Sequence, residues 1–104
     1  MSDKYILVNG VPTIEPDLMK WAKWFETSER RVALTNVADA HVSTIFLGLD
    51  LSFGSGPPLL YETVVFGGAL KNVTERYATA EEARRGHEAI VERVRNAYPA
   101  NCQS

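Results

Sequence analysis

Between Val42 and Gly68 the chain reads VSTIFLGLDLSFGSGPPLLYETVVFGG, two β-prone runs on either side of a loop rich in glycine and proline. So short a connection favours antiparallel neighbours, because a parallel return needs a crossover of a dozen or more residues. Each run also carries one acidic residue, Asp50 or Glu62. A carboxylate within or at the end of an apolar strand costs stability unless it is paired or used. This segment is therefore the first place to look for a site.

The flanking sequence supplies further elements. Tyr5-Ile6-Leu7-Val8 precedes Asn9-Gly10, a strong hairpin signal, and Val11-Pro12-Thr13-Ile14 returns as an edge strand because Pro12 lacks an N–H. Glu15-Pro16-Asp17 opens a helix in which Leu18, Trp21, Ala22 and Phe25 form the expected buried stripe, with Trp24 at its margin. Arg31 to Val37 and His41 to Leu49 read as strands joined by a turn at Ala38-Asp39-Ala40. A further strand runs from Leu59 or Leu60 to Phe66, and Leu70 to Tyr77 has no clean period. Thr79 and Glu82 have capping-box spacing, and Ala83, His87, Ile90, Val91, Val94 and Tyr98 follow at helical intervals up to Pro99. The order β-β-α-β-β-β-α describes an α+β domain. Its antiparallel sheet has about five strands, with two helices on one face.

With 104 residues the chain has room for one domain, taken as 1–98 with a polar tail over 99–104. A content of 45% apolar and 23% charged residues is that of a globular domain and argues against disorder. No apolar run reaches the roughly 20 residues of a membrane span. Met1-Ser2-Asp3-Lys4 lacks signal organisation, and the expected location is cytoplasmic. The one cysteine, Cys102, makes no internal disulfide or thiolate metal site. A net charge of −2 gives no general attraction for nucleic acid.

Alternation along the strands assigns faces. Ser43, Ile45, Leu47 and Leu49 read as the helix-covered side. Val42, Thr44, Phe46 and Asp50, with Glu62, Val64 and Phe66, read as an uncovered second surface. Such a surface points to a partner or ligand, homodimerisation first. Asp50 and Glu62 suit an acid/base pair or a metal site, or else a cap on the loop's backbone amides and a carboxylate paired with an arginine across an interface. His87, beside Gly86, interrupts an apolar stripe and reads as a packed histidine with a satisfied ring nitrogen, or as a catalytic base. Phe53-Gly54-Ser55-Gly56-Pro57-Pro58 fails both phosphate-loop patterns, since no Gly-Lys-Ser/Thr opens a helix there. No cofactor motif is present. Trp24, Arg30 and Arg31 combine an aromatic with two guanidinium groups, a set that stacks on and pairs with a nucleotide.

Trp24-Phe25-Glu26, Val42-Ser43-Thr44, Phe46-Leu47-Gly48-Leu49-Asp50, Gly56-Pro57-Pro58-Leu59, Tyr61-Glu62-Thr63, Val65-Phe66-Gly67-Gly68 and Arg76-Tyr77-Ala78-Thr79 together resemble a family of small phage and prophage proteins. The likeness spans roughly residues 5 to 95 and includes Ala83 to Val91. That family carries no assigned activity, so no residue role transfers. Its members often have His-Asn after the aspartate where this chain has Leu51-Ser52. The resemblance implies a phage-type product made inside a bacterium. The function expected is a homo-oligomeric binding protein that sequesters a small nucleotide or blocks a host protein, with Trp24, Arg30, Arg31, Thr44, Phe46, Asp50, Glu62 and Phe66 as contact residues. The alternatives are a small hydrolase or isomerase using Asp50, Glu62 and His87, and an accessory virion protein.

Overall fold

A computed structural model describes residues 3–50 and 56–97. Strands β1 (Tyr5–Val8) and β2 (Val11–Ile14) precede helix α1 (Leu18–Thr27). Strands β3 (Arg31–Val37), β4 (Ala40–Phe46), β5 (Tyr61–Phe66) and β6 (Thr74–Tyr77) follow, and helix α2 (Ala80–Asn96) ends the described chain. The class is α+β with every pairing antiparallel: β1 and β2 form a hairpin, and β3-β4-β5-β6 form a four-stranded meander.

Local chemistry explains the boundaries. Asn9 and Gly10 adopt φ of 52° and 80°, the left-handed pair that folds β2 back on β1. The Asp17 carboxylate caps α1 by accepting from the backbone N–H groups of Met19 and Lys20 at 3.0 and 3.1 Å. At α2 the capping box forms in full, with Thr79 Oγ1 accepting from Glu82 N–H at 3.1 Å and Glu82 Oε1 from Thr79 N–H at 3.2 Å. Strand β4 stops at Phe46 because Gly48 takes φ of 77° and redirects the chain. Beyond that corner Leu49 bridges to Lys4. The Gly48 carbonyl accepts both the Tyr5 N–H at 2.8 Å and the Trp21 indole N–H at 3.1 Å. This corner therefore ties the hairpin, α1 and the larger sheet together.

Six strands form rather than five. The added one, β6, arises from a stretch with no apolar alternation. Gly67, Gly68 and Asn72, at φ of 77°, 75° and 74°, shape the tight return that lays it beside β5. The helices also divide their work. Helix α2 spans all four strands of the meander, whereas α1 packs on β1 and reaches the core through Trp24. The stripe of α1 is rotated from the expected one: Leu18 is 58% exposed and Ala22 is exposed, while Trp21, Trp24 and Phe25 are half-buried. The rotation follows the aromatics. Trp24 meets Phe46 edge-on at 5.8 Å and Trp21 stacks with Phe25 at 4.9 Å. On α2 the buried residues are Ala83, His87, Ile90, Val91 and Val94, the stripe read from the sequence. Tyr98, Pro99, the 99–104 tail with Cys102, and Phe53 to Ser55 lie outside the described residues.

The parity of β4 is the reverse of the sequence reading, whereas that of β5 is as read. Ala40, Val42, Thr44 and Phe46 are fully buried beneath α2, as are Tyr61, Thr63 and Val65, while Ser43, Ile45 and Leu47 are half-buried on the other side. Register pairs Thr44 with Thr63, Val42 with Val65 and Phe46 with Tyr61. Each set therefore lines one face, and Phe46 belongs to the core rather than beside Phe66. The reason is polar: Thr44 and Thr63 face inward because α2 brings them a hydrogen-bonding histidine.

Gly86 sits where α2 crosses Tyr77, and a Cβ there would fall inside contact distance of the Tyr77 ring and hydroxyl. Gly86→Ala is expected to destabilise the fold by about 1–3 kcal/mol from overpacking, against a gain of roughly 1 kcal/mol in helix propensity. A lowered urea midpoint is the expected result. An unchanged or raised midpoint would show that the two elements are not in close contact.

Candidate functional site

Three regions bear on chemistry: the polar centre beneath α2, the groove at the end of α1, and the uncovered face of the meander.

His87 is 1% exposed, and both ring nitrogens are engaged. Nε2 lies 2.9 Å from Thr35 Oγ1 and Nδ1 lies 2.7 Å from Thr44 Oγ1, which in turn lies 2.5 Å from Thr63 Oγ1. One proton order places the ring proton on Nδ1: the ring donates to Thr44, Thr44 to Thr63, and Thr35 to Nε2. The other tautomer reverses every bond. Burial lowers the His87 pKa, opposed by the weaker influence of Glu88. A hydroxyl beside an imidazole has the form of a nucleophile with its base. Here, however, Thr44 and Thr63 are wholly buried and His87 nearly so, so a substrate atom has no access to them. The network holds α2 to three strands. Next to it, the Tyr77 hydroxyl is buried and, among the described residues, completes no well-formed hydrogen bond; burial raises its pKa, opposed by its approach to Thr63.

Asp50 and Glu62 do not share a site with His87. Asp50 Oδ1 accepts the Leu59 N–H at 3.1 Å and so caps the end of the loop. Glu62 receives the Arg76 Nε–H at 3.0 Å from the adjacent strand. It lies on the face opposite His87, with Ile45 as its neighbour on β4. The Asp50, Glu62 and His87 constellation of the hydrolase reading is thus not assembled.

The nucleotide-binding trio is also dispersed. Trp24 packs on Phe46 in the core cluster. Arg30 stacks 3.8 Å from the Phe25 ring centroid and donates to the Phe46 carbonyl at 3.0 Å, which makes it a brace between α1 and β4. Arg31 alone is exposed, in an open groove of about 270 Å³ that Phe25, Glu26, Glu29, Arg30 and Ile45 also line. Two carboxylates beside two guanidinium groups give this groove no net positive charge to attract a phosphate.

The uncovered face of the meander is the remaining candidate. Its rows, read across β3 to β6, are Arg31-Ile45-Glu62-Arg76, Leu34-Ser43-Val64-Thr74 and Asn36-His41-Phe66. Phe66 is 55% exposed and Leu34 45%, with Ile45 and Val64 half-buried between them. Of the residues expected at a contact surface, Arg31, Glu62 and Phe66 are here and Thr44 and Phe46 are not. Val64 is where the sequence reading put it, whereas Ile45 and, across from Ser43, Leu34 were missed because the parity of β4 was inverted. Two threonines directly opposite in neighbouring strands, with a histidine in the helix stripe, were the available signal.

Among the described residues no cluster of three His, Cys, Asp or Glu side chains is placed to hold a metal. No helix among them is long and apolar enough to cross a membrane. No protein-family model, curated protein or solved structure matches the chain.

The lowered His87 pKa has a consequence for stability. The unfolded ring takes up its proton near pH 6.5 and the folded ring only at lower pH, so between these values the unfolded state holds more protons. Stability is then full above that range and falls as pH drops through it. His87→Gln is expected to lose about 1–3 kcal/mol at pH 7 from broken buried hydrogen bonds and to remove this acid slope. Thermal melts between pH 7.5 and 5.5 check both; a variant retaining the wild-type slope would contradict the assignment.

Proposed function

We propose that this chain is a binding protein that works through the uncovered face of the β3–β6 meander. The observation that carries the reading is that face itself. Among the described residues, a seven-residue central strand and its neighbours leave Leu34, Ile45, Val64 and Phe66 without a covering layer, while α2, with Trp24 of α1, occupies the other side. Exposed apolar area of this kind, bordered by Arg31, Glu62 and Arg76, fits an apolar protein surface bearing an acidic group at its edge.

The resemblance to phage and prophage proteins makes a bacterial host component the partner, with interference in host physiology or defence as the outcome. Blocking a host protein is favoured over sequestering a nucleotide, because Trp24 and Arg30 are committed to internal packing. The hydrolase or isomerase reading loses its geometric basis with the separation of Glu62 and His87.

Affinity purification from bacterial cells tests the reading with wild type and the Phe66→Ser/Val64→Ser double variant. The expected result is a partner of fixed stoichiometry retained by wild type and lost by the variant, with the variant still folded by circular dichroism. Equal recovery by both proteins, or none by either, would overturn it. Native mass spectrometry of the same samples reports any bound nucleotide, whose presence would instead favour sequestration.

A further inference from the structure

We infer that the free edge of β3 docks a second copy of this chain, the two β3 strands running antiparallel about a two-fold axis. This goes beyond the proposed function by giving the chain a self-association edge, and it leaves the Phe66 face free for another partner.

The meander has two edges, and they differ. At one edge β6 is four residues long and carries Glu75 and Arg76, with Arg93 of α2 at 3.8 Å from Glu75. Short length and flanking charge are the usual means of blunting an edge. At the other edge β3 is seven residues long, contains no proline or lysine, and carries its only charge on its first residue, Arg31. Elements that pack on it are β4, on its paired side, and α2, on its core face. A register irregularity between Arg31 and Ala33 leaves Ala33 to Val37 regularly paired with β4. Among the described residues no strand pairs with its outer side, so it offers a row of backbone groups open to pairing.

Charge placement selects the occupant. Arg31 lies at one end of β3, and the exposed Asp39 lies in the turn just past its other end. A strand positive at its start and negative beyond its end is complementary to its own antiparallel copy. Centring the pair on Thr35 brings Arg31 of each copy alongside the Ala38-Asp39 turn of the other, because the irregularity between Arg31 and Ala33 takes up one residue of the register. The symmetry makes each contact twice, as an isologous interface requires. The result is an eight-stranded sheet in which the two uncovered faces become one continuous platform.

Sedimentation equilibrium of wild type, Arg31→Glu, Asp39→Lys and the double variant tests this, with hydrogen exchange on wild type at low and high protein concentration. Each single charge reversal is expected to weaken dimerisation by roughly tenfold or more. The double variant should recover to within about threefold of wild type, and β3 amides should become protected as concentration rises. A protein monomeric to roughly 100 µM would overturn the inference. So would a dimer indifferent to both reversals, or one whose β3 exchange is independent of concentration. Partner loss in Phe66→Ser/Val64→Ser with dimerisation intact would separate the two surfaces.

Discussion

The contact between His87 and the threonines of the sheet is the constraint on which the arrangement of this protein depends. A helix stripe of Ala83, Ile90, Val91 and Val94 could rest on either face of a β meander of similar hydrophobicity. The imidazole removes that freedom, because its two nitrogens must find polar partners once buried. Thr35 on β3 and Thr44 on β4, with Thr63 on β5 behind it, supply them on one face only. A one-residue change of parity would bury Ser43 and Ile45 and carry Thr44 away from the ring.

The consequence runs outward from the core to the surface. With Thr44, Phe46, Tyr61 and Val65 turned inward, Leu34, Ile45, Val64 and Phe66 are turned outward, and Glu62 takes Arg76 as its partner among them. The carboxylates that first marked the β4–β5 segment have separate structural duties: one caps a loop and the other forms a cross-strand ion pair. What the segment contributes to function is a surface, and β3 continues that surface to a free edge.

Much of the fold was legible in the sequence, and the failures share a cause. The Asn9-Gly10 hairpin, the capping box at Thr79 and the stripe of α2 are set by local chemistry, and all appear where the residues indicate. The parity of β4 was misjudged because isoleucine and leucine outweighed threonine and alanine, although a hydroxyl with a buried partner is as well placed inside as an aliphatic group. That partner lies 43 residues further along the chain. Strand β6 was missed for a similar reason: Thr74-Glu75-Arg76-Tyr77 has no apolar alternation and is held by its neighbour and by Tyr77 beneath Gly86. In α1, helical spacing placed Leu18 and Ala22 in the core beside Trp21 and Phe25, whereas the corner at Gly48 and the aromatic contacts kept Trp21 and Phe25 inward and brought Trp24 in place of the other two. Tertiary polar contacts decided what local pattern left open.

The most direct test of the account compares two adjacent residues of one strand. In a background with Cys102 replaced by serine, Val65→Cys and Phe66→Cys place a thiol on opposite faces of β5. Thiol labelling under native conditions should modify Phe66→Cys readily and Val65→Cys only through unfolding, since Val65 is fully buried and Phe66 is 55% exposed. Rapid labelling of Val65→Cys with protection of Phe66→Cys would show that the helix covers the other face, and the surface assigned here to binding would be the core.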